Sequence, residues 1–165
     1  MPYLVPVVCL ATIRGVTRCV RMGSTLHLPQ RERFRLGKRI LLVEDNAEFR
    51  QAFARVLGLA LAAEQLDVTF VESGSMSEAR ERLREGGLDA ALIDVTLPDG
   101  NGLDLVREIN DGLTETIPTL VLTAGLDHTV AARAVEAGAQ GAQSKAVSMP
   151  ETVGAVKRLT WHQEG

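Results

Sequence analysis

Short apolar runs recur at regular intervals along the chain after residue 38, and polar or glycine-containing sequence follows each of them. The runs are four to eight residues long and several are rich in β-branched residues, which is typical of strands. Their nearly continuous apolar character predicts strands that are covered on both faces of a sheet. The predicted strands are residues 39–46, 67–73, 90–95 and 117–124, with a weaker strand at 141–144.

The segments between these runs carry apolar residues at helical spacing, which predicts amphipathic helices. The first helix follows Asn46, a good N-cap residue, and its apolar positions are Phe49, Phe53, Val56, Leu57 and Ala60. Glycines follow two of the later helices, where they favour a helix end. The later predicted helices cover residues 75–85, 102–110, 126–138 and 150–159.

Strand and helix therefore alternate five times, with short connections between them. This order predicts an α/β fold, a doubly wound five-stranded parallel sheet with right-handed crossovers and helices on both faces. In such sheets, ligands bind outside the carboxyl ends of the strands, near the point where the strand order reverses. The residues that end the strands are therefore the first place to search for chemistry.

The charge of the chain divides it into two regions. Residues 1–39 carry eight Lys or Arg and one acid, so the remaining 10 of 18 bases and 20 of 21 acids give residues 40–165 a net charge of −10. We expect residues 1–37 to be a basic, disordered extension, residues 38–160 to be the folded domain, and residues 161–165 to be a tail. The basic run at 31–39 is interpreted as a solvated linker, since few aromatic residues accompany it for nucleic-acid stacking.

Other classes of protein are disfavoured by the composition. Both cysteines, Cys9 and Cys19, lie in the basic extension, so the main domain is no disulfide scaffold and suits a reducing, cytoplasmic location. No apolar run approaches the roughly 20 residues that span a bilayer. Residues 3–13 are apolar, but Pro6 interrupts them and the positive charges follow them, so a signal peptide or a membrane-surface segment is less favoured than a disordered extension.

Polar side chains end four of the predicted strands: Glu44 and Asp45, then Asp94, Thr123 and Lys145. In a parallel sheet all of them would meet at one edge. Two carboxylates about 4 Å apart repel by roughly 4 kcal/mol at an effective dielectric constant near 20, so the cluster needs a cation besides Lys145. Hard oxygen ligands in a small cluster favour Mg²⁺, and a carboxylate beside Mg²⁺ can act as a nucleophile toward phosphorus. Taken singly, each residue could instead be a helix cap, a turn residue or a solvated surface group.

Four stretches carry a resemblance to a known family: ILLVEDN (40–46), ALIDVTLPDGNGLDLV (91–106), VLTA (121–124) and GAQGAQSK (138–145). The chain resembles the receiver domain of bacterial two-component response regulators from about Lys38 to Leu159. The resemblance implies the flavodoxin-like strand order 2-1-3-4-5. It also implies a phosphorylation-controlled switch more than an enzyme, which receives its phosphoryl group from a sensor histidine kinase or a phosphotransfer protein and signals to an unknown downstream protein.

The resemblance also implies roles for particular residues. Asp94 would accept the phosphoryl group, and Mg²⁺ would be bound by Asp45, Asp94 and the backbone carbonyl of Thr96, with Glu44 acting through water. Thr123 and Lys145 would contact the phosphoryl oxygens. Thr96 and Gly125 occupy positions that tune hydrolysis in the family, where the small Gly125 leaves room for water.

Three features depart from the family pattern. The fifth strand carries Ala142 where the family usually has an aromatic residue that moves inward on phosphorylation, so that switch cannot operate here. Gln143 stands where an apolar residue is common, and the stretch from Asn46 to Asp67 is a few residues long, which predicts an extended first helix or loop.

Two alternative functions compete with the phosphoacceptor. A degenerate receiver that acts only as a protein-interaction module is favoured by Ala142 but disfavoured by the intact polar set. A Mg²⁺-dependent aspartyl phosphohydrolase of the haloacid-dehalogenase type would need a second Asp where Thr96 stands, and we reject it. No helix-turn-helix or winged-helix pattern follows the domain, so we expect no DNA-binding domain in this chain.

Overall fold

The computed structural model describes residues 7–9, 19–21, 37–112 and 115–161 of the chain. The chain divides into two units, residues 1–34 and 35–165. In the first unit, Val7–Cys9 and Cys19–Arg21 pair as antiparallel strands, with Val8 opposite Val20. Most of residues 1–37, for which disorder was predicted, lie outside the described residues. The part of the predicted tail beyond Trp161 also lies outside them.

The second unit is built on a five-stranded parallel sheet. Its strands are β1 (Lys38–Val43), β2 (Val68–Ser73), β3 (Ala90–Asp94), β4 (Thr119–Thr123) and β5 (Gly141–Ser144). Their order across the sheet is β2-β1-β3-β4-β5, and all four neighbouring pairs are parallel. The predicted fold class and the order 2-1-3-4-5 are therefore confirmed.

Five helices connect or follow these strands: α1 (Ala47–Ala63), α2 (Met76–Glu85), α3 (Gly102–Asn110), α4 (His128–Glu136) and α5 (Met149–Trp161). Each lies where the sequence pattern predicts a helix, and the bounds of α2 to α5 differ from the predicted ranges by at most two residues. The side chain of Asn46 accepts a hydrogen bond from the backbone N–H of Phe49, so the predicted cap of α1 is confirmed.

The long segment between β1 and β2 is used to extend α1, which has 17 residues. The helix ends with Gln65 in the left-handed region, at a φ of 62°. The backbone N–H of Leu66 reaches the carbonyl of Leu61, and that of Gln65 reaches Ala62, which is the Schellman arrangement. Of the two alternatives that the sequence allowed, an extended helix is therefore the correct one.

The sheet separates two hydrophobic layers. Alternate residues of β1 face opposite sides, so Leu41 and Val43 pack with α2, α3 and α4, while Ile40 and Leu42 pack with α1 and α5. Buried strands covered on both faces explain the continuous apolar runs of the sequence. Among the described residues, no helix is both long enough and apolar enough to cross a membrane.

The segment after β3 differs from the sequence-based prediction, which continued this strand to Val95. The strand ends at Asp94, and Thr96–Leu97 then pairs with Gly100–Asn101 as a two-residue antiparallel ladder. The chain therefore folds back on itself immediately after the carboxylate and enters α3.

Candidate functional site

The register of the parallel sheet brings the strand ends together at one edge. Val43 lies beside Ile93, and Thr123 lies beside Ser144, so the residues that follow β1, β3 and β5 are near neighbours. The backbone N–H of Lys145 donates to the carbonyl of Thr123 at 2.8 Å, which fixes the start of the Lys145 side chain next to β4.

Three carboxylates form a cluster at this edge. Glu44 and Asp94 are buried, at 3% and 5% exposure, whereas Asp45 is exposed. One oxygen atom from each of the three lies within 4.8 Å of the other two. The sequence-based expectation that these acids share one pocket matches this geometry.

Lys145 balances part of this charge. Its Nζ atom lies 2.7 Å from Oδ2 of Asp94 and 2.5 Å from Oε2 of Glu44, and it also lies 5.2 Å from the centre of the Phe49 ring. Burial alone would lower the pKa of the Lys145 ammonium, but hydrogen bonds to Asp94 and Glu44 and the charges of these groups outweigh it and raise the pKa. Lys145 is therefore held charged between two buried acids.

Glu44 makes more contacts with neighbouring residues than the sequence suggested, through both its side chain and its backbone carbonyl. Its Oε2 atom faces Lys145, and its Oε1 atom accepts a hydrogen bond from the backbone N–H of Asn46 at 3.3 Å. Arg50 of α1 donates to the backbone carbonyl of Glu44 at 2.5 Å and pairs with Glu72 at the end of β2 at 3.2 Å. These contacts position the loop that carries Asp45.

Thr123 lies at the other side of the cluster and is 7% exposed. Its hydroxyl oxygen accepts a hydrogen bond from the backbone N–H of Gly125 at 3.2 Å. In β5, Ala142 is half-buried and packs against the layer that contains α2, α3 and α4. Gln143 is buried on the opposite face, where its amide donates to the Thr152 hydroxyl of α5 at 3.2 Å.

Two features of the segment after Asp94 were not recognised in the sequence. A Cβ atom on Gly102 would lie 1.9 Å from the backbone oxygen of Asp94, so only glycine lets α3 begin this close to the phosphoacceptor candidate. Asp99 binds the start of α2, more than 20 residues away, although its position in a Pro-Asp-Gly sequence indicated only a turn. No local pattern signals either contact, because the first depends on the path of the chain from β3 into α3 and the second on packing between separate elements.

The cluster suits a divalent cation. Three carboxylates and one ammonium leave a formal charge of −2. Every side-chain atom with which the three acids could bind a metal is a hard oxygen. Oxygen ligands of this kind are the ones that Mg²⁺ prefers. The exposure of Asp45 leaves one side of the cluster open to solvent.

Comparison with known proteins places this geometry in a family. Residues 40–157 match the family described as the response regulator receiver domain. The chain is 34% identical over 119 residues to the DNA-binding transcriptional activator DevR/DosR of Mycobacterium tuberculosis, covering 72% of this chain and 52% of the relative. It is 32% identical over 125 residues to the phosphate regulon transcriptional regulatory protein PhoB of Escherichia coli, covering 75% and 52% of the two chains.

A solved LuxR-family two-component response regulator from Aurantimonas sp. SI85-9A1 superposes with a TM-score of 0.66 and 27% identity, covering 75% of this chain and 85% of that one. The chain spans about half the length of the two sequence relatives, which are longer proteins. The match over residues 40–157 nevertheless includes most of β1, the other four strands of the sheet and the whole acidic cluster. The chain therefore belongs to the family of response regulator receiver domains.

Proposed function

We propose that this receiver domain accepts a phosphoryl group on Asp94 and signals through the resulting change of its surface. The observation that carries this proposal is the buried Asp94 carboxylate, held 2.7 Å from the Lys145 ammonium at the edge of an acidic cluster. An interaction module that is never phosphorylated would have no need of two buried acids around a half-buried lysine, because such a group costs desolvation energy.

The proposed reaction is a transfer from a phosphohistidine of a sensor histidine kinase or a phosphotransfer protein. An oxygen of the Asp94 carboxylate forms the new O–P bond while the P–N bond of the donor breaks, and the donor imidazole retains the electron pair. Lys145 already contacts Asp94, so it can neutralise the charge of the incoming phosphoryl group with little movement. The Thr123 hydroxyl, which donates to the backbone carbonyl of Gly125 at 3.4 Å, would donate to a phosphoryl oxygen instead.

We propose Asp45, Asp94 and the backbone carbonyl of Thr96 as Mg²⁺ ligands, with Glu44 acting through water. When bound, Mg²⁺ supplies charge neutralisation and orientation of phosphate oxygens. In the structure the Glu44 side chain is committed to Lys145 and to the Asn46 N–H, which is consistent with an indirect role. The protein itself turns over no external substrate in this account, so we propose a phosphoacceptor switch and no enzyme beyond its own dephosphorylation.

A protein phosphodonor needs a docking surface, and α1 offers one. Its solvent face carries an apolar stripe of exposed residues at spacings of four, three and four: Ala52, Val56, Leu59 and Ala63. Leu59 is 66% exposed and its neighbour Val56 is 47% exposed, and adjoining exposed apolar side chains are typical of interaction surfaces. Because α1 begins directly after Asp45, a helix of the donor that packs on this stripe would approach the acidic cluster.

The relatives of this chain indicate what kind of downstream partner it would have. The two sequence relatives are described as a DNA-binding transcriptional activator and a transcriptional regulatory protein. We propose that this receiver likewise passes its phosphorylation state to an output protein or domain in the cytoplasm. Without an aromatic residue at Ala142, the loop after Thr123 and the start of α4 would carry the change.

The test is intact-mass measurement after incubation with acetyl phosphate, with and without Mg²⁺, on the wild-type protein and Asp94→Asn. We expect one added phosphoryl group that requires both Mg²⁺ and Asp94. Labelling that persists in Asp94→Asn would contradict the assignment of the acceptor. If the protein is labelled neither by acetyl phosphate nor by a panel of sensor kinases, the interaction-module alternative is favoured instead.

A further inference from the structure

Asp99 connects the segment that follows the phosphoacceptor to a helix on one face of the sheet. One of its carboxylate oxygens accepts a hydrogen bond from the backbone N–H of Met76, and the other accepts one from Ser77, both at 2.8 Å. Met76 and Ser77 are the first two residues of α2. Their N–H groups have no partner within the helix, so Asp99 satisfies two donors that would otherwise depend on solvent.

Asp99 is not needed as the ordinary cap of this helix, because α2 has its own. The hydroxyl oxygen of Ser75 accepts from the backbone N–H of Glu78 at 3.2 Å. The Glu78 carboxylate in turn accepts from the backbone N–H of Gly74 at 2.7 Å. The contact made by Asp99 is thus an additional link between two separate parts of the fold.

The same link is reinforced by packing. A Cβ atom on Gly100 would lie 2.6 Å from the sulfur of Met76, so the backbone of this segment lies directly against α2. Leu97 is 6% exposed, and Thr96–Leu97 pairs with Gly100–Asn101. The segment from Thr96 to Asn101 is therefore a small folded unit that is anchored on α2 at its tip.

This anchored unit begins two residues after Asp94 and contains Thr96, whose backbone carbonyl is one of the Mg²⁺ ligands in the function proposed above. We propose that Asp99 is a positioning residue for phosphoryl transfer: it ties the tip of the segment Thr96–Asn101 to the start of α2 and so holds the Thr96 carbonyl at the metal site. The inference rests on the proposed function. The hydrogen bonds that Asp99 accepts from the Met76 and Ser77 N–H groups lower the pKa of its carboxyl group.

The test compares Asp99→Ala with Ser75→Ala. Both variants remove a side chain that accepts a hydrogen bond from a backbone N–H at the start of α2, but only the first releases the segment beside the metal site. In metal-free protein, hydrogen exchange should accelerate at residues 96–101 in Asp99→Ala and stay unchanged there in Ser75→Ala. In calorimetric titration, Asp99→Ala should bind Mg²⁺ about tenfold more weakly, while Ser75→Ala should stay within twofold of the wild-type protein.

The labelling rate with acetyl phosphate separates positioning from general damage. We expect Asp99→Ala to be labelled slowly at low Mg²⁺ and to recover most of the wild-type rate at saturating Mg²⁺. Asp99→Asn keeps one acceptor oxygen, so it should lie between Asp99→Ala and the wild-type protein, and it serves as the test variant if Asp99→Ala does not fold.

Two outcomes would overturn the inference. One is an unchanged Mg²⁺ affinity in the folded Asp99 variant, and the other is an equal loss of affinity in Ser75→Ala. In either case the wild-type protein would still be labelled on Asp94, so the proposed function would stand. A wild-type protein that is never labelled would instead contradict the proposed function itself, whereas the exchange measurement on metal-free protein would still report whether Asp99 holds the segment.

Discussion

Two loops flank the Asp94 carboxylate, and they are built in opposite ways. The loop after β3, residues 95–101, is held by a two-residue ladder, by the bonds from Asp99 to α2 and by the close approach of Gly102 to Asp94. The loop after β4, residues 124–127, is exposed throughout, and a Cβ atom on Gly125 would have nothing within 4 Å. Both begin at the same edge of the same sheet.

The contrast indicates a division of roles. A metal ligand and a nucleophile must be held in place before the reaction, because their positions determine the rate of transfer. A segment that reports the reaction must be able to change its conformation at low cost, and such segments have few buried contacts. Under the proposed function, the chemistry would therefore belong to the fixed loop after β3 and the response to the open loop after β4.

The largest difference between the loops should appear in a pair of glycine substitutions. Gly102→Ala places a methyl group against the Asp94 backbone oxygen, and overpacking of this kind costs about 1–3 kcal/mol of unfolding free energy or more. Gly125→Ala enters open space, so its effect should be within about 0.5 kcal/mol. Urea unfolding of the two variants measures both values, and equal losses would show that the loops are not packed differently.

Asp45, the exposed residue of the acidic cluster, should contribute to Mg²⁺ affinity but not to the stability of the fold. Asp45→Asn removes a proposed Mg²⁺ ligand, so calorimetric titration should show an affinity at least about tenfold lower, or about 1.4 kcal/mol. The same change removes repulsion between Asp45 and the two buried acids, so the metal-free variant should be as stable as the wild-type protein or slightly more so. A variant that binds Mg²⁺ normally would contradict the ligand assignment.

The caps of the two following helices offer a matched pair. The Asn101 side chain accepts from the backbone N–H of Leu103 at the start of α3, and Asp127 accepts from Val130 in α4. Replacing either by alanine should cost about 1 kcal/mol of stability, measured by thermal unfolding. We expect only Asn101→Ala to slow labelling by acetyl phosphate, since it loosens the fixed loop; slower labelling of Asp127→Ala to the same extent would count against the division of roles.

The smallest expected effect is the contribution of Asp99 to the loss of stability at acid pH. Hydrogen bonds from the Met76 and Ser77 N–H groups lower the pKa of Asp99, so this group stabilises the folded protein above its ordinary pKa of about 4, and the contribution is lost as the pH falls through the lower folded-state pKa. Asp99→Asn should therefore show a shallower loss of stability below about pH 4. Urea unfolding at several pH values checks this. The control is Asp104→Asn, whose carboxylate is exposed on α3 in a surface ion pair with Arg107, a kind of contact that contributes little to stability.

The sequence predicted the elements of the fold well because burial determines their pattern. Strands covered on both faces must be apolar throughout, as Ile40 to Val43 and Ala90 to Ile93 are, and amphipathic helices must repeat every 3.6 residues. Polar residues that interrupt such a pattern at a strand end, as Asp94 does, therefore stand out. The strand order itself came from the family resemblance and not from the pattern.

The details that the sequence could not supply depend on three-dimensional packing, both within the segments at the strand ends and between separate elements. The link from Asp99 to Met76, the clamp of Arg50 on the Glu44 carbonyl and the close approach of Gly102 join residues whose contacts no local periodicity encodes. The ending of β3 at Asp94, one residue earlier than predicted, has the same origin, since the pairing of Thr96–Leu97 with Gly100–Asn101 takes the chain out of the sheet.

Hydrogen exchange of the wild-type protein with and without Mg²⁺ and the phosphoryl mimic beryllofluoride tests the division of roles most directly. Asp94→Asn serves as a control that should not respond. We predict that the largest change in protection occurs in residues 123–130, which follow β4, and that residues 95–102 change less because they are already held in the free protein. The opposite result, with the larger change in residues 95–102 and none after Thr123, would contradict the account.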